Sequence, residues 1–256
     1  DSGVDRVMVR YPAPRAIAEG LGLSPAELRR FVADAESRGL KVTVVAEWAS
    51  QASIDELAEL ASSIEAGSLC LADTSSLLTP RKAFELLKEA STKLSGVELE
   101  ARFHDALGLA VANSLAAVEA GAKGVHCSVN GLGEGPGLAS TSEVALAVQR
   151  ELGVKVLDVA ALRRLSELVE KYSGVPARSH GSLMGDLSFT VKSWPRADLA
   201  LDGRSPLWPL SPAELGRRVD VEVSRHCSPK ALIHRAEEVG YLSLIHISEP
   251  TRPRLI

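Results

Sequence analysis

Residues 103–137 read FHDALGLAVANSLAAVEAGAKGVHCSVNGLGEGPG. The stretch parses as a strand end, a helix of small residues, a second strand, and a loop carrying Gly131, Gly133, Gly135 and Gly137. His104 and Asp105 stand where the first strand runs out. Asn130 stands where the second does, and Glu134 follows in the loop. Two strands joined by a helix run parallel, so both deliver their polar ends to the same edge of one sheet.

The same unit repeats upstream. Residues 4–11 (VDRVMVRY), 41–48 (KVTVVAEW), 69–73, 97–104 and 125–130 read as strands. Between them, residues 15–20, 25–38, 54–66, 80–93 and 109–120 keep a helical apolar period, with Ser24 and Pro25 as an N-cap and first helical residue. Gly3, Gly39, Gly67, Gly96 and Gly121 punctuate the helix-to-strand joints, where a left-handed residue closes a helix. Uniform units of about 25–36 residues, with strands apolar on both faces, predict a parallel sheet. No dinucleotide-binding glycine fingerprint appears, so a (β/α)8 barrel is favoured over a doubly wound sheet. In a barrel the working site lies at the C-terminal strand ends. Those ends carry Arg10, Tyr11, Glu47, Asp73, Thr74, His104, Asp105 and Asn130, of which Thr74 and Asp105 also suit helix capping.

At 256 residues and 45% hydrophobic, the chain can bury a barrel-sized core. A net charge of −4 with no basic block argues against a nucleic-acid partner. No apolar run approaches a membrane span, and a cytoplasmic location is expected. Cys70, Cys127 and Cys227 are scattered, without C-x-x-C, and read as reduced structural thiols. The chain opens on Asp1-Ser2-Gly3 without Met and reads as part of a longer product. After residue 137 the pattern loosens. Helices are expected at 140–152 and 159–172, capped by Ser140 or Thr141 in the first case, then a Gly- and Ser-rich loop over 176–194, and helices opening at Ser211 and Ser228. Residues 243–252, SLIHISEPTR, lose periodicity and read as adaptor read-through. The expected organisation is a barrel domain over 1–195, a small α-rich subdomain over 196–242 and a non-native tail over 243–256.

The block LGLAVANSLAAVEAGA at 107–122, followed by VNGLGE at 129–134, resembles the metal-dependent barrels that condense acyl-CoA with 2-oxo acids. These are the 2-isopropylmalate, homocitrate and citramalate synthases, with hydroxymethylglutaryl-CoA lyase as a relative. Glu47-Trp48-Ala49, Asp73-Thr74 and the segment 225–240 (RHCSPKALIHRAEEVG) support the match. The resemblance implies a (β/α)8 barrel lacking its first βα unit, because the opening Arg-Asp-Gly motif would fall before Asp1. It implies an acyltransferase that condenses acetyl-CoA, as co-substrate, with a 2-oxo acid through enolate attack on a ketone. Glu47 and Glu134 would be catalytic, Thr74 and Asn130 would bind substrate, and Arg102, at a position where the family has another residue, would bind a substrate carboxylate. His104 would ligate a divalent Mg, Mn or Zn ion, and the protein would form a homodimer.

Several positions depart from that pattern. Arg102 replaces the first histidine of the His-x-His metal pair, Ala106 replaces an aspartate, and Leu138 replaces the asparagine ligand that ends the glycine loop. The histidines expected of the lid fall at Val191 and near Arg196. His126 lies too deep in its strand to serve as a ligand, while His180, His226 and His234 suit surface or structural roles. Two further readings therefore stand beside the acyltransferase: a repurposed paralogue that binds or regulates without metal, and a metal-free aldolase- or lyase-like enzyme using Arg102 as a carboxylate clamp.

Overall fold

The apolar runs pair with one another in chain order. In the computed structural model, which describes residues 3–65, 67–181, 183–203 and 207–240, the strands are β1 (Arg6–Pro12), β2 (Lys41–Glu47), β3 (Ser68–Asp73), β4 (Glu98–Phe103) and β5 (Gly124–His126). They form one parallel sheet ordered β1-β2-β3-β4-β5. Between and after them run α1 (Arg15–Gly20), α2 (Pro25–Ser37), α3 (Ile54–Ile64), α4 (Pro80–Lys93), α5 (Ala110–Glu119) and α6 (Thr141–Leu152). A sheet whose spatial order equals its chain order never reverses, which is the barrel pattern rather than the doubly wound one. The chain divides into two compact units, Asp1–Leu157 and Asp158–Ile256.

The helices form where the sequence supplies both a stripe and a start. In α3, Leu57, Leu60, Ala61 and Ile64 turn inward, and Ser53 and Glu56 make a capping box. Such a cap stabilises a helix by about 0.5–2 kcal/mol. Glu56 also accepts the Arg15 amide at 3.1 Å, which ties α3 to the start of α1. In α5, Ala110, Ala117 and the buried Asn113 form the packed face, and Asn113 Nδ2 donates to the Leu78 carbonyl at 2.9 Å. Together with the outward side chains of the strands (Val44, Ala46, Leu69, Leu71, Leu99, Ala101 and Phe103), these faces make the main core. The sheet's other face is built differently. Val45, Cys70 and Ala72 are its buried apolar residues, and charged groups lie above and below them.

Several local expectations are corrected. Helix α3 closes on Glu65 in the left-handed conformation, φ 52°, so Gly67 is not its terminator. β5 stops at His126 and does not run to Asn130. Residues Val129–Gly131 form a tight 3-10 turn in which Asn130 takes φ 59°. A strand that must hand its chain to the glycine loop breaks as soon as the ladder to β4 ends at the Arg102–His126 pair. Ser140 precedes α6 without capping it by its side chain; its hydroxyl faces that of Ser142 at 3.1 Å instead. The segment opening at Ser211 is a single 3-10 turn, Pro212–Leu215, held by a Ser211–Glu214 capping box.

The second unit holds α7 (Val159–Ser173), β6 (Thr190–Val191), α8 (Trp194–Asp202), β7 (Asp220–Val221) and α9 (Pro229–Glu238). Its small core is Val191, Ala197, Val221 and Ala231. Arg217 organises the glycine-rich loop before β6. Its guanidinium stacks 5.0 Å from the Phe189 ring and donates to the Gly185 and Asp186 carbonyls at 2.6 and 2.8 Å. No helix among the described residues is long and apolar enough to cross a membrane. The tail beyond Gly240 lies outside the described residues.

Phe103, 1% exposed, is the largest fully buried side chain of the main core, at the end of β4. Phe103→Ala is expected to cost about 3–5 kcal/mol, read as a lower urea midpoint at unchanged slope. A loss below about 1 kcal/mol would mean that this core face is not packed as described.

Candidate active site

Period-two alternation decides which side chains reach the site. On β4, Leu99, Ala101 and Phe103 face the helices, so Glu100, Arg102 and the following His104 face the opposite way. β2 contributes Thr43, Val45 and Glu47 to that inner face, and β3 contributes Ser68, Cys70 and Ala72. β1 adds Arg6 and Arg10, and β5 adds His126.

The floor is a closed polar network. Glu100 Oε1 accepts from Arg6 at 2.7 Å and from Ser68 at 3.0 Å, while Glu100 Oε2 meets His126 Nε2 at 2.5 Å. His126 Nδ1 lies 3.5 Å from Cys70 Sγ. Both oxygens of this buried carboxylate are therefore occupied, as burial of a charge requires. The His126 hydrogen bond, Ser68 and the nearby Arg6 hold the Glu100 carboxyl below the usual carboxylate range, against the opposing effect of burial. Burial and the Glu100 charge push the Cys70 thiol well above its ordinary value, so it is an inert thiol.

The mouth is an open cleft of about 460 Å³ lined by Arg10, Tyr11, Glu47, Thr74, His104 and Glu134, among others. This is within the range of small-ligand pockets. Glu47 is buried among these residues. Thr74 Oγ1 donates to Glu47 Oε2 at 2.5 Å and accepts the Trp48 amide at 2.8 Å, so the threonine fixes the carboxylate to the strand end. Arg10 Nε stands 3.1 Å from Glu47 Oε1. The pairing is ionic without hydrogen-bond alignment, and Oε1 makes no hydrogen bond. A buried, ion-paired carboxylate with one oxygen unbonded has what a proton acceptor needs: a charge held in position and an open lone pair.

The glycine loop is strapped over the end of β4. Asp105 N donates to Gly137 O at 3.1 Å, Ala139 N to Phe103 O at 3.3 Å, and Leu138 N to Gly131 O at 3.2 Å. His104 and Leu138 form an isolated antiparallel bridge. Gly137 has φ 81°, and a Cβ there would overlap the Gly131 carbonyl oxygen. That closeness is what carries Glu134 and Pro136 to the cleft.

Of the residues the sequence singles out, the cleft gathers Arg10, Tyr11, Glu47, Thr74, His104 and Glu134. Arg102 lies on the same inner face one step below His104, close enough to feel the charges of Arg10 and Glu47. Asn130 is held in the left-handed turn and is not part of that lining. Asp73 is not a site group. It accepts the Leu77 and Leu78 amides at 3.0 and 2.8 Å and the Ser50 hydroxyl at 2.6 Å, which shapes the turn after β3. Asp105 accepts the Ala110 amide at 3.0 Å, the capping role open to it from the sequence. The Arg10–Glu47 pair and the floor network were missed. The alternation Glu100-Arg102-His104 within an otherwise apolar strand was the signal for the latter.

A divalent cation does not fit the residues present. Among the described residues no three His, Cys, Asp or Glu side chains converge. A guanidinium occupies the inner face beside His104, and the loop position opposite His104 is the hydrocarbon Leu138. Hard cations take several oxygen or nitrogen ligands and repel a neighbouring positive charge.

A sheet of this order, with a buried carboxylate and cations at the C-terminal strand ends, defines a (β/α)-barrel protein with a ligand cleft at the usual barrel position. Residues 23–169 match the HMGL-like family, and the chain belongs to it, with the 2-isopropylmalate and homocitrate synthases. It is 35% identical over 209 residues to the homocitrate synthase of Sulfurisphaera tokodaii, covering 80% of this chain and 45% of that protein. It is 34% identical to the Sulfolobus acidocaldarius homocitrate synthase, covering 82% and 45%. The chain thus spans about half the length of the curated relatives it matches. By structure it is similar to the hydroxymethylglutaryl-CoA lyase of Pseudomonas aeruginosa, with TM-score 0.60, 20% identity, and 72% and 67% of the two chains covered. The carboxyl transferase domain of Rhizobium etli pyruvate carboxylase gives TM-score 0.54 at 20% identity, covering 68% of this chain and 37% of that one. These structural likenesses establish the barrel fold.

Gly137→Ala is expected to destabilise the chain by about 1–3 kcal/mol and to speed hydrogen exchange at the Asp105 and Leu138 amides. Exchange at the native rate would show that the loop tolerates the added carbon. The floor gives a pH prediction. A depressed folded value means that the stabilisation from Glu100 is present above its unfolded value of about 4.3 and is lost as pH falls through the lower folded value. Urea midpoints measured from about pH 6 down to pH 3 should fall less steeply in Glu100→Gln than in the native chain. Parallel declines would contradict the assignment.

Proposed function

We propose that the cleft catalyses acyl transfer of the homocitrate synthase kind, condensing acetyl-CoA with a 2-oxo acid. The observation that carries this reading is Glu47: a buried carboxylate lining the cleft, fixed by Thr74, ion-paired to Arg10, with Oε1 free of hydrogen bonds. The likeness to homocitrate synthases over most of the chain supports it.

In this reading Glu47 removes a proton from the acetyl methyl group of the thioester. The resulting enolate carbon forms a bond to the ketone carbon of the acid, whose oxygen takes up the electron pair and then a proton. Glu134, on the glycine loop, is the acid for that proton. Water then cleaves the thioester and releases the CoA thiol. Thr74 keeps Glu47 oriented, and Arg10 pairs with its other oxygen. Arg102 binds the acid, and Asn130 supports the loop that covers it. Proton transfer by a positioned group accounts for about 10²–10⁴ in rate.

The test is acetyl-CoA-dependent thiol release by the full-length protein with pyruvate, 2-oxoisovalerate or 2-oxoglutarate, each with and without added Mg²⁺, Mn²⁺ or Zn²⁺. Release with one of the acids is expected, with kcat reduced about 10²-fold or more in Glu47→Gln and KM for the acid little changed. A folded protein that releases no thiol with any acid would overturn the acyl-transfer reading in favour of a paralogue repurposed for binding.

A further inference from the structure

Arg102 is the cation that the rest of the inner face leaves without a partner. Below it, Glu100 is saturated: Arg6 and Ser68 occupy one oxygen and His126 the other. Above it, Glu47 is held by Thr74 and paired with Arg10. Arg102 makes no hydrogen bond or ion pair among the described residues, and its Nε is buried and unbonded. Nδ1 of His104, the next inward residue on the same strand end, is likewise buried and unbonded. Leaving a buried charged donor unsatisfied is costly, and an anion would satisfy it.

The chemistry of the anion it suits follows from the donor. A guanidinium offers a planar fork of N–H groups that matches a carboxylate. Burial and the neighbouring Arg10 pull the pKa of Arg102 down from its ordinary value, yet a guanidinium stays protonated across the neutral range. The inner face therefore carries a fixed positive charge one strand step from His104, where a metal ion would otherwise be required to supply it. A metal beside it would meet repulsion, whereas a carboxylate meets attraction.

Building on the acyl-transfer reading, we infer that Arg102 replaces the divalent metal as the cation of this site. Its guanidinium holds the carboxylate of the 2-oxo acid directly, and acid binding requires no metal. The keto group of the same acid then lies toward His104 and Glu47, at the mouth. Arg102 is a binding residue in this scheme, and the proton chemistry stays with Glu47.

The experiment is calorimetric titration of the full-length protein, without acetyl-CoA, using pyruvate and 2-oxoglutarate as probes, in excess EDTA and again in Mg²⁺ or Mn²⁺. At least one acid is expected to bind in EDTA with an affinity changed less than about twofold by metal. Arg102→Gln should weaken that binding about 10-fold or more, and Arg102→Lys should fall between, because an ammonium cannot grip both oxygens. Circular dichroism checks that the variants fold, and the chelator comparison on the native protein stands without them. Binding that vanishes in EDTA and returns with metal would overturn the inference. So would native affinity in a folded Arg102→Gln, or a folded native protein that binds none of the acids. Metal-independent, Arg102-dependent binding without thiol release would sink the acyl-transfer reading and leave this inference in place.

Discussion

A parallel strand buried on both faces must find a partner for every polar side chain it turns inward, and β4 with the residue that follows it brings three to the site. Glu100, Arg102 and His104 alternate with Leu99, Ala101 and Phe103, so the apolar half of the strand builds the core and the charged half builds the site. The partners available at each level decide the outcome. At the floor there are enough of them, and the result is a saturated network around Glu100. At the mouth Arg10 and Thr74 orient a single carboxylate, Glu47. Between the two, Arg102 is left with charge and without a counter-ion.

The fold was readable because its signals are local and repeated. Apolar strands followed by amphipathic helices recur five times, and each unit specifies itself within about 30 residues. Where an element depends on distant partners, the sequence misled. The run 125–130 is apolar enough for a strand, yet β5 ends at His126, because its ladder to β4 ends there and the glycine loop pulls the chain away. Gly67 looked like the end of α3, but the helix closes on Glu65 before reaching it.

The site was legible in part for the same reason. Strand ends can be counted, so Arg10, Glu47, Thr74 and His104 could be expected together, and the cleft gathers them. Counting could not say which polar residue at a strand end looks into the cleft and which folds back on the chain. Asp73 and Asp105 both satisfy nearby amides, because a short carboxylate beside a helix start or tight turn reaches them easily. Nor could it say that Glu100 and His126 satisfy each other, since that depends on register between strands 26 residues apart in the chain. The substitutions at 102 and 138 were visible from the start. What the structure adds is that, among the described residues, the arginine at 102 is unpaired between a saturated Glu100 and an ion-paired Glu47.

The account rests on that uncompensated guanidinium receiving a carboxylate beside an oriented Glu47. The measurement that tests this most directly is a crystal structure of the full-length protein with a bound 2-oxo acid, grown in the presence of Mn²⁺ so that an anomalous signal reports any metal. The account predicts the acid's carboxylate within hydrogen-bond distance of the Arg102 guanidinium, its keto carbon facing Glu47, and no anomalous peak between them. An acid chelated by Mn²⁺ at His104, with Arg102 turned away, would contradict it.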